Sequence, residues 1–220
     1  MTTPARQLVY FADPMCSWCY GFSPAIAAIA ERFAGRMPVR VVVGGLRAGN
    51  TRPMRPQDKD YIRDAWSRVG EASGQPFDTA FFEREGFVYD TEPACRAVVA
   101  MRTLKPEAAL PYMAAVSRAF YARNEDTTRP EVLAAIAADF GIAPADFERA
   151  MLDAEVRNAT FRDFMLAQQS GVTGFPCLVV GREADGYALV TGGFRPLGDI
   201  LEPLEAWFAA QTGGEAAAGS

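Results

Sequence analysis

The sequence predicts an α/β protein in which a strand–helix–strand opening and a closing hairpin and helix are separated by a long all-helical block. Three observations carry that reading. Apolar, β-branched or aromatic runs of strand length stand at 7–12 and 39–43 and return only at 177–180 and 187–190. Between residues 57 and 170 the apolar residues recur instead at helical spacing. A Cys-x-x-Cys pair, Cys16 and Cys19, stands where the first strand gives way to a helix.

Taken in order, Gln7-Leu8-Val9-Tyr10-Phe11-Ala12 reads as a buried strand and the alanine-rich run from Pro24 to Phe33 as helix. After a break at Gly35 to Pro38, Val39-Arg40-Val41-Val42-Val43 forms a second strand by its β-branched content. It leaves through Gly44-Gly45-Leu46 into a loop bearing Arg47, Arg52 and Arg55. The glycine pair lacks the Gly-Lys-Ser/Thr and Gly-x-Gly-x-x-Gly context of phosphate loops and reads as a tight exit from the sheet. The three arginines read as a solvated loop that could also meet an acidic partner.

The helical block comprises a segment near Asp58 to Ser73, an aromatic connection from Phe77 to Tyr89, and a helix from Thr91-Glu92-Pro93 to about Leu104. Leu110, Met113, Ala114, Ser117 and Tyr121 mark the next helix. Thr128-Arg129-Pro130-Glu131 has the pattern of a capping box opening the run to Phe140, which Gly141 ends. Pro144 starts another helix, and Glu155 to Ser170 a further one. Cys177-Leu178-Val179-Val180 and Tyr187-Ala188-Leu189-Val190 flank a turn at Gly186 as a hairpin. Leu197, Ile200, Leu201, Leu204 and Phe208 form one face of a last helix, with a kink at Pro203. The small, polar stretch 213–220 is expected to be a disordered tail. The chain divides on this reading into a discontinuous domain (1–56 and 171–212), a helical insertion domain (57–170) and the tail.

Composition narrows the function. With 220 residues, half of them hydrophobic, the chain can bury a sizeable core, and its net charge of -5 leaves no basic patch for nucleic acid or a membrane surface. No window reaches the length and apolarity of a membrane span. The first strand begins within a few residues of Met1, without the charged and apolar segments of a signal peptide, so a cytoplasmic location is expected. In that reducing compartment a close cysteine pair is more plausibly catalytic than a permanent staple.

The position of Cys16 matters more than the spacing. Unpaired N–H groups and aligned peptide dipoles at a helix start favour negative charge, so a thiol there ionises more easily. Cys19, one turn on, shares its face and can close a disulfide with it. A structural zinc site would need two more ligands, yet the chain has no histidine, and Cys95 and Cys177 are isolated; no metal is expected. Two packed core cysteines would be the bland alternative. With no histidine to move protons, Asp13 is the nearest candidate base, and it serves equally well as a cap of the strand-to-helix turn. Cys95, among alanines and valines, reads as packing.

Cys16-Ser17-Trp18-Cys19 together with Gly171-Val172-Thr173-Gly174-Phe175-Pro176 resembles the DsbA-like members of the thioredoxin superfamily, and most nearly their cytosolic FrnE-like branch. Gly44-Gly45-Leu46 and Thr91 to Arg96 fit the same branch. The resemblance implies a thioredoxin fold with a large helical insertion and a thiol–disulfide oxidoreductase or isomerase acting on protein or peptide thiols. It implies a cis Pro176 lying against the Cys16–Cys19 pair, and a Phe175 backbone that pairs with an extended substrate. Phe175, Trp18, Phe22 and Phe194 would supply an apolar surface for that substrate. No bound cofactor is implied, with glutathione as a candidate redox partner. Cys16 would attack a substrate disulfide and Cys19 would resolve the mixed disulfide. Ser17-Trp18 lacks the histidine of strongly oxidising relatives, so a reducing or isomerising couple is expected. Cys177, directly after Pro176, reads as a buried strand start or as a third thiol close to the pair. A kappa-class-like glutathione transferase or isomerase, which carries serine at the nucleophile position, and a non-catalytic chaperone module are the alternatives.

Overall fold

The computed structural model describes residues 6–218, with side chains through residue 211. Its sheet has four strands, β1 (Gln7–Ala12), β2 (Val39–Val43), β3 (Cys177–Arg182) and β4 (Gly186–Gly192), in the order β2-β1-β3-β4. β1 and β2 are parallel and are joined by the helix α1 (Ser17–Arg32), whereas β3 lies antiparallel to β1 and forms a hairpin with β4. The mixed α/β architecture is that expected from the strand pattern.

Six helices lie between β2 and β3 in the chain: α2 (Pro56–Ser73), α3 (Glu92–Leu104), α4 (Ala109–Arg123), α5 (Pro130–Ala138), α6 (Pro144–Leu152) and α7 (Ala154–Gln169). α8 (Gly198–Ala218) follows the hairpin. Pleating sorts the sheet residues onto two faces. Leu8, Tyr10, Val41, Val43, Leu178 and Val180 join α1 and the helical block in one continuous core. Val9, Phe11, Val42 and Cys177 pack on the other face, against Ala167 of α7. The aromatic connection after α2 is core rather than surface: Phe77, Phe81 and Phe82, with Phe120 and Tyr121 of α4, ring Trp66 at centroid distances of 4.8 to 6.1 Å.

Local chemistry departs from expectation in three places. α1 begins at Ser17 and runs through Pro24, whose missing N–H leaves the Tyr20 carbonyl without its helical donor; the Ser23 hydroxyl donates to that carbonyl instead, at 2.8 Å. The capping box at Thr128 does not form. Arg129 is the N-cap of α5 without a side-chain cap bond, and Thr128 is drawn into a turn by Asp126, donating to its Oδ1 at 2.6 Å. Alanine-rich sequence also carries the backbone of α8 to Ala218, into the stretch 213–220 expected to be disordered; Gly219 and Ser220 lie outside the described residues.

β2 is an outer strand, and its free edge is closed by an ion pair. Val43 N–H donates to Asp163 Oδ2 of α7 at 3.1 Å, and Arg102 of α3 donates to both the Val41 carbonyl (2.5 Å) and Asp163 (2.7 Å). One partly buried pair thus ties two helices to the edge of the sheet and covers groups that invite foreign strands. Asp163→Ala leaves Arg102 and the Val43 amide unpaired and is expected to cost about 3 kcal/mol, read from urea denaturation.

Candidate active site

β1 ends at Ala12, and the turn Asp13-Pro14-Met15 delivers Cys16 as the N-cap of α1, its amide donating to the Asp13 carbonyl at 3.0 Å. Asp13 is fully buried. Its Oδ1 accepts from Met15 N (2.8 Å) and its Oδ2 from Leu46 N (2.7 Å) and from the Cys95 thiol (3.4 Å). Thr91 contributes a further side-chain bond, while its Oγ1 accepts from Arg47 N at 3.1 Å. Burial holds the Asp13 carboxyl above its ordinary pKa, opposed by the Met15 and Leu46 amides. These bonds give Asp13 the geometry of a cap on the turn, and Cys95 belongs to its network rather than to packing alone.

The helical block holds the rest of the turn. Ser117 Oγ donates to the Pro14 carbonyl at 2.8 Å, and Tyr89 OH donates to the Met15 carbonyl at 2.7 Å, with the Tyr121 hydroxyl 3.1 Å away. Their roles were invisible to sequence reasoning, since Ser117 and Tyr121 looked like positions on an apolar helix face and Tyr89 like the end of an aromatic connection. The one available signal was the polar tip of each side chain, which needs a partner once buried.

Cys16 and Cys19 are free thiols, 6% and 1% exposed, so Cys16 is the more accessible of the two. Ser17 opens the first turn of α1, which carries no acidic side chain to compete for its amides. Cys16 Sγ lies 3.7 Å from the carbonyl oxygen of Phe175, its acceptor, and the Phe175–Pro176 peptide bond is cis. The Cys19 thiol is pushed well above its usual pKa by burial first, then by its hydrogen bond to Cys16 and the charge on that sulfur.

Phe175 needs room, and Gly44 provides it: a Cβ on Gly44 would stand 2.0 Å from the Phe175 ring. That is the physical reason for the glycine pair after β2, joined at Gly45 by a φ of +64°. Trp18 and Phe194 are half-buried, with ring centroids 5.5 Å apart, and Phe175 is likewise half-buried, so these three offer surface to a ligand. Phe22 does not. It is fully buried, with centroids 6.0 Å from Tyr10 and 6.4 Å from Phe194, because it lies on the face of α1 turned to the sheet.

Of the two readings of Cys177, the structure favours the buried strand start: it opens β3 and is 6% exposed. Next to Pro176 in sequence, it points to the opposite face of the sheet, paired in register with Phe11 and packed with Val9, Val42 and Ala167. Alternation along an extended strand sends neighbours to opposite sides. Burial raises its pKa, and it lines a groove of about 660 Å³ with Phe11, Leu166, Phe175, Val179 and Leu189.

With this geometry in place, comparison with known proteins is decisive on family. The profile of the DSBA-like thioredoxin domain matches residues 7–197. The chain belongs to that family. Among solved structures it is similar to a putative protein disulfide isomerase from Nitrosomonas europaea (36% identity, TM-score 0.87, covering 94% of this chain and 99% of that one). It is also similar to the cytosolic disulfide reductase DsbM from Pseudomonas aeruginosa (26% identity, TM-score 0.73, 96% and 98% covered), a protein solved with GSH as well. A curated relative, the ClpXP adapter protein SpxH of Bacillus subtilis, is 20% identical over 78% of this chain, which spans 57% of that relative's length.

Among the described residues, no cluster of three or more His, Cys, Asp or Glu side chains could hold a metal ion, and no helix is long and apolar enough to cross a membrane.

Two substitutions probe the frame of the site. Asp13→Ala strands the buried Met15 amide and the part-buried Leu46 amide and is expected to cost about 2–3 kcal/mol in denaturant unfolding. Against an Asp13→Asn reference, a carboxyl whose folded pKa is raised favours folding below its unfolded pKa and loses that contribution as pH rises through the folded value. Wild type should therefore lose stability relative to Asp13→Asn as pH rises from about 4. Gly44→Ala drives Phe175 off its seat, with an expected loss of about 1–3 kcal/mol and of thiol-exchange rate, checked by melting and by alkylation kinetics of Cys16.

Proposed function

We propose that the protein is a thiol–disulfide oxidoreductase of the cytoplasm that reduces or isomerises disulfides of protein or peptide substrates through Cys16 and Cys19. The observation that carries this reading is the single arrangement of a Cys16 sulfur at the start of α1, 3.7 Å from the Phe175 carbonyl, with a second thiol buried one turn behind it. Cys16 thiolate attacks a substrate disulfide, and Cys19 then attacks the Cys16 sulfur of the mixed disulfide to release reduced substrate. A substrate segment extended along Phe175 would rest on the half-buried rings of Trp18 and Phe194. The reducing direction is supported by the absence of a cationic residue between the two cysteines and by the similarity to a cytosolic disulfide reductase.

Glutathione fits as the redox partner. The loop after β2 encloses a cavity of about 570 Å³ lined by Arg47, Arg52 and Arg55, with Arg55 engaged by Asp58 at 3.0 Å. Arg47 lies 5.0 Å over the ring of Tyr89, the residue whose hydroxyl holds Met15 next to Cys16. The two carboxylates of a thiol peptide such as glutathione match the positive charge of this loop. The similar DsbM has been solved with GSH.

Insulin reduction tests the central reading: Cys16→Ser should abolish turnover, and Cys19→Ser should accumulate a mixed disulfide with substrate; full activity in Cys16→Ser would refute it. For the partner, Arg52→Ala is expected to raise the KM for glutathione roughly tenfold, the worth of one charge-assisted hydrogen bond, while dithiothreitol-driven insulin reduction is unchanged.

A further inference from the structure

We propose that Tyr10 is a catalytic residue: its hydroxyl donates a hydrogen bond to the Cys19 sulfur as that sulfur becomes a thiolate and attacks the mixed disulfide. The argument begins with an orphan. Tyr10 sits in the middle of β1 with its side chain fully buried, and its hydroxyl has no well-formed hydrogen bond. The other buried tyrosines all have partners. Tyr20 donates to the Pro76 carbonyl at 3.1 Å, Tyr89 to Met15, Tyr112 to the Leu133 carbonyl at 2.9 Å, and Tyr121 meets Tyr89. A buried hydroxyl left in this state is uncommon and unfavourable, which calls for a reason.

The reason lies in what faces it. The Tyr10 hydroxyl is within reach of the Cys19 thiol, and its ring packs on Phe22 at 6.0 Å. A neutral thiol is a weak acceptor, but a thiolate is a strong one. The bond missing in the reduced, protonated state therefore becomes available as the charge develops, which is the condition for lowering a barrier rather than stabilising the resting protein. Burial holds the phenol protonated well beyond the working pH range, so Tyr10 serves as donor and keeps its proton throughout. No histidine exists in the chain to take the part.

The step balances without any further reactant. Cys19 gives its proton to solvent, and its thiolate attacks the Cys16 sulfur. The Cys16–Cys19 bond forms, the bond from Cys16 to the substrate sulfur breaks, and the electron pair leaves on that sulfur, which takes a proton from water. The substrate is reduced and the dithiol oxidised. This step rests on the oxidoreductase reading; the hydrogen bond to Cys19 does not.

Tyr10→Phe in a Cys16→Ser background isolates the contact, with pH-dependent alkylation of the Cys19 peptide followed by mass spectrometry. Removal of a donor to a charged sulfur should raise the apparent pKa of Cys19 by about one unit or more, a tenfold loss of alkylation rate at fixed pH. With Cys16 present, resolution of a preformed mixed disulfide should slow about tenfold. Because the hydroxyl has no structural partner, Tyr10→Phe should melt no lower than wild type. An unchanged Cys19 titration, or a lowered melting temperature showing the hydroxyl to be a structural group, overturns the proposal. A shifted titration in a protein whose wild type does not reduce insulin would sustain the contact to Cys19 and refute the oxidoreductase reading.

Discussion

The geometry around the dithiol depends on one carboxylate kept away from water. A buried charge is costly unless its lone pairs are filled, and Asp13 fills them with amides of its own turn and of the loop after β2, a thiol from α3, and the Thr91 hydroxyl. Each bond answers the desolvation of the same group, so segments separated by up to 82 residues are fixed to one point. The backbone of Met15 and Pro14, held in turn by Tyr89 and Ser117, leaves Cys16 no freedom to drift from the start of α1. The helical block thus acts as the clamp of the turn that presents the nucleophile, in addition to being most of the core.

Pleating imposes the second constraint. Adjacent residues of β1 and β3 serve different ends: Tyr10 faces the dithiol and Phe11 the far groove, and the same alternation separates Pro176 from Cys177. Parallel pairing of β1 with β2 keeps the rule across strands, since Tyr10 is matched with Val41 and Phe11 with Val42. A one-residue slip of β1 would exchange Tyr10 for Phe11 behind Cys19 and leave the resolving thiol among hydrocarbons.

The strands, the helix boundaries and the cysteine pair were legible in the sequence because each rests on a local rule: alternation, helical spacing, or a thiol at a strand-to-helix junction. Gly44 was legible only as a turn; its cause, the Phe175 ring, lies more than a hundred residues away. Phe22 was misplaced, and Cys177 left with two readings, for a related reason. Proximity in sequence to a motif says nothing of direction, and on a helix or a strand one step decides between the site and the core. Cys95 and the tyrosine and serine donors around residues 13–15 were hidden because long-range hydrogen bonds leave no periodic trace. Asp13 could be located but not assigned, since the choice between base and cap turns on burial.

Burial also orders the chemistry. The two sulfurs share one turn of α1, yet Cys16 stands outside the first helical residue and Cys19 behind it; on the oxidoreductase reading proposed above, a disulfide arriving from solvent would be offered to Cys16. While Cys16 carries charge, that charge and the hydrogen bond between the sulfurs help to keep the proton on Cys19. On that proposed reading, formation of a mixed disulfide would neutralise Cys16 and remove this opposition, leaving desolvation as the principal force against ionisation of Cys19. The proton of the resolving thiol is therefore released more readily after the first bond exchange than before it. A dry, closely spaced pair orders its own two steps without a histidine, by letting the product of the first relieve the electrostatic restraint on the second.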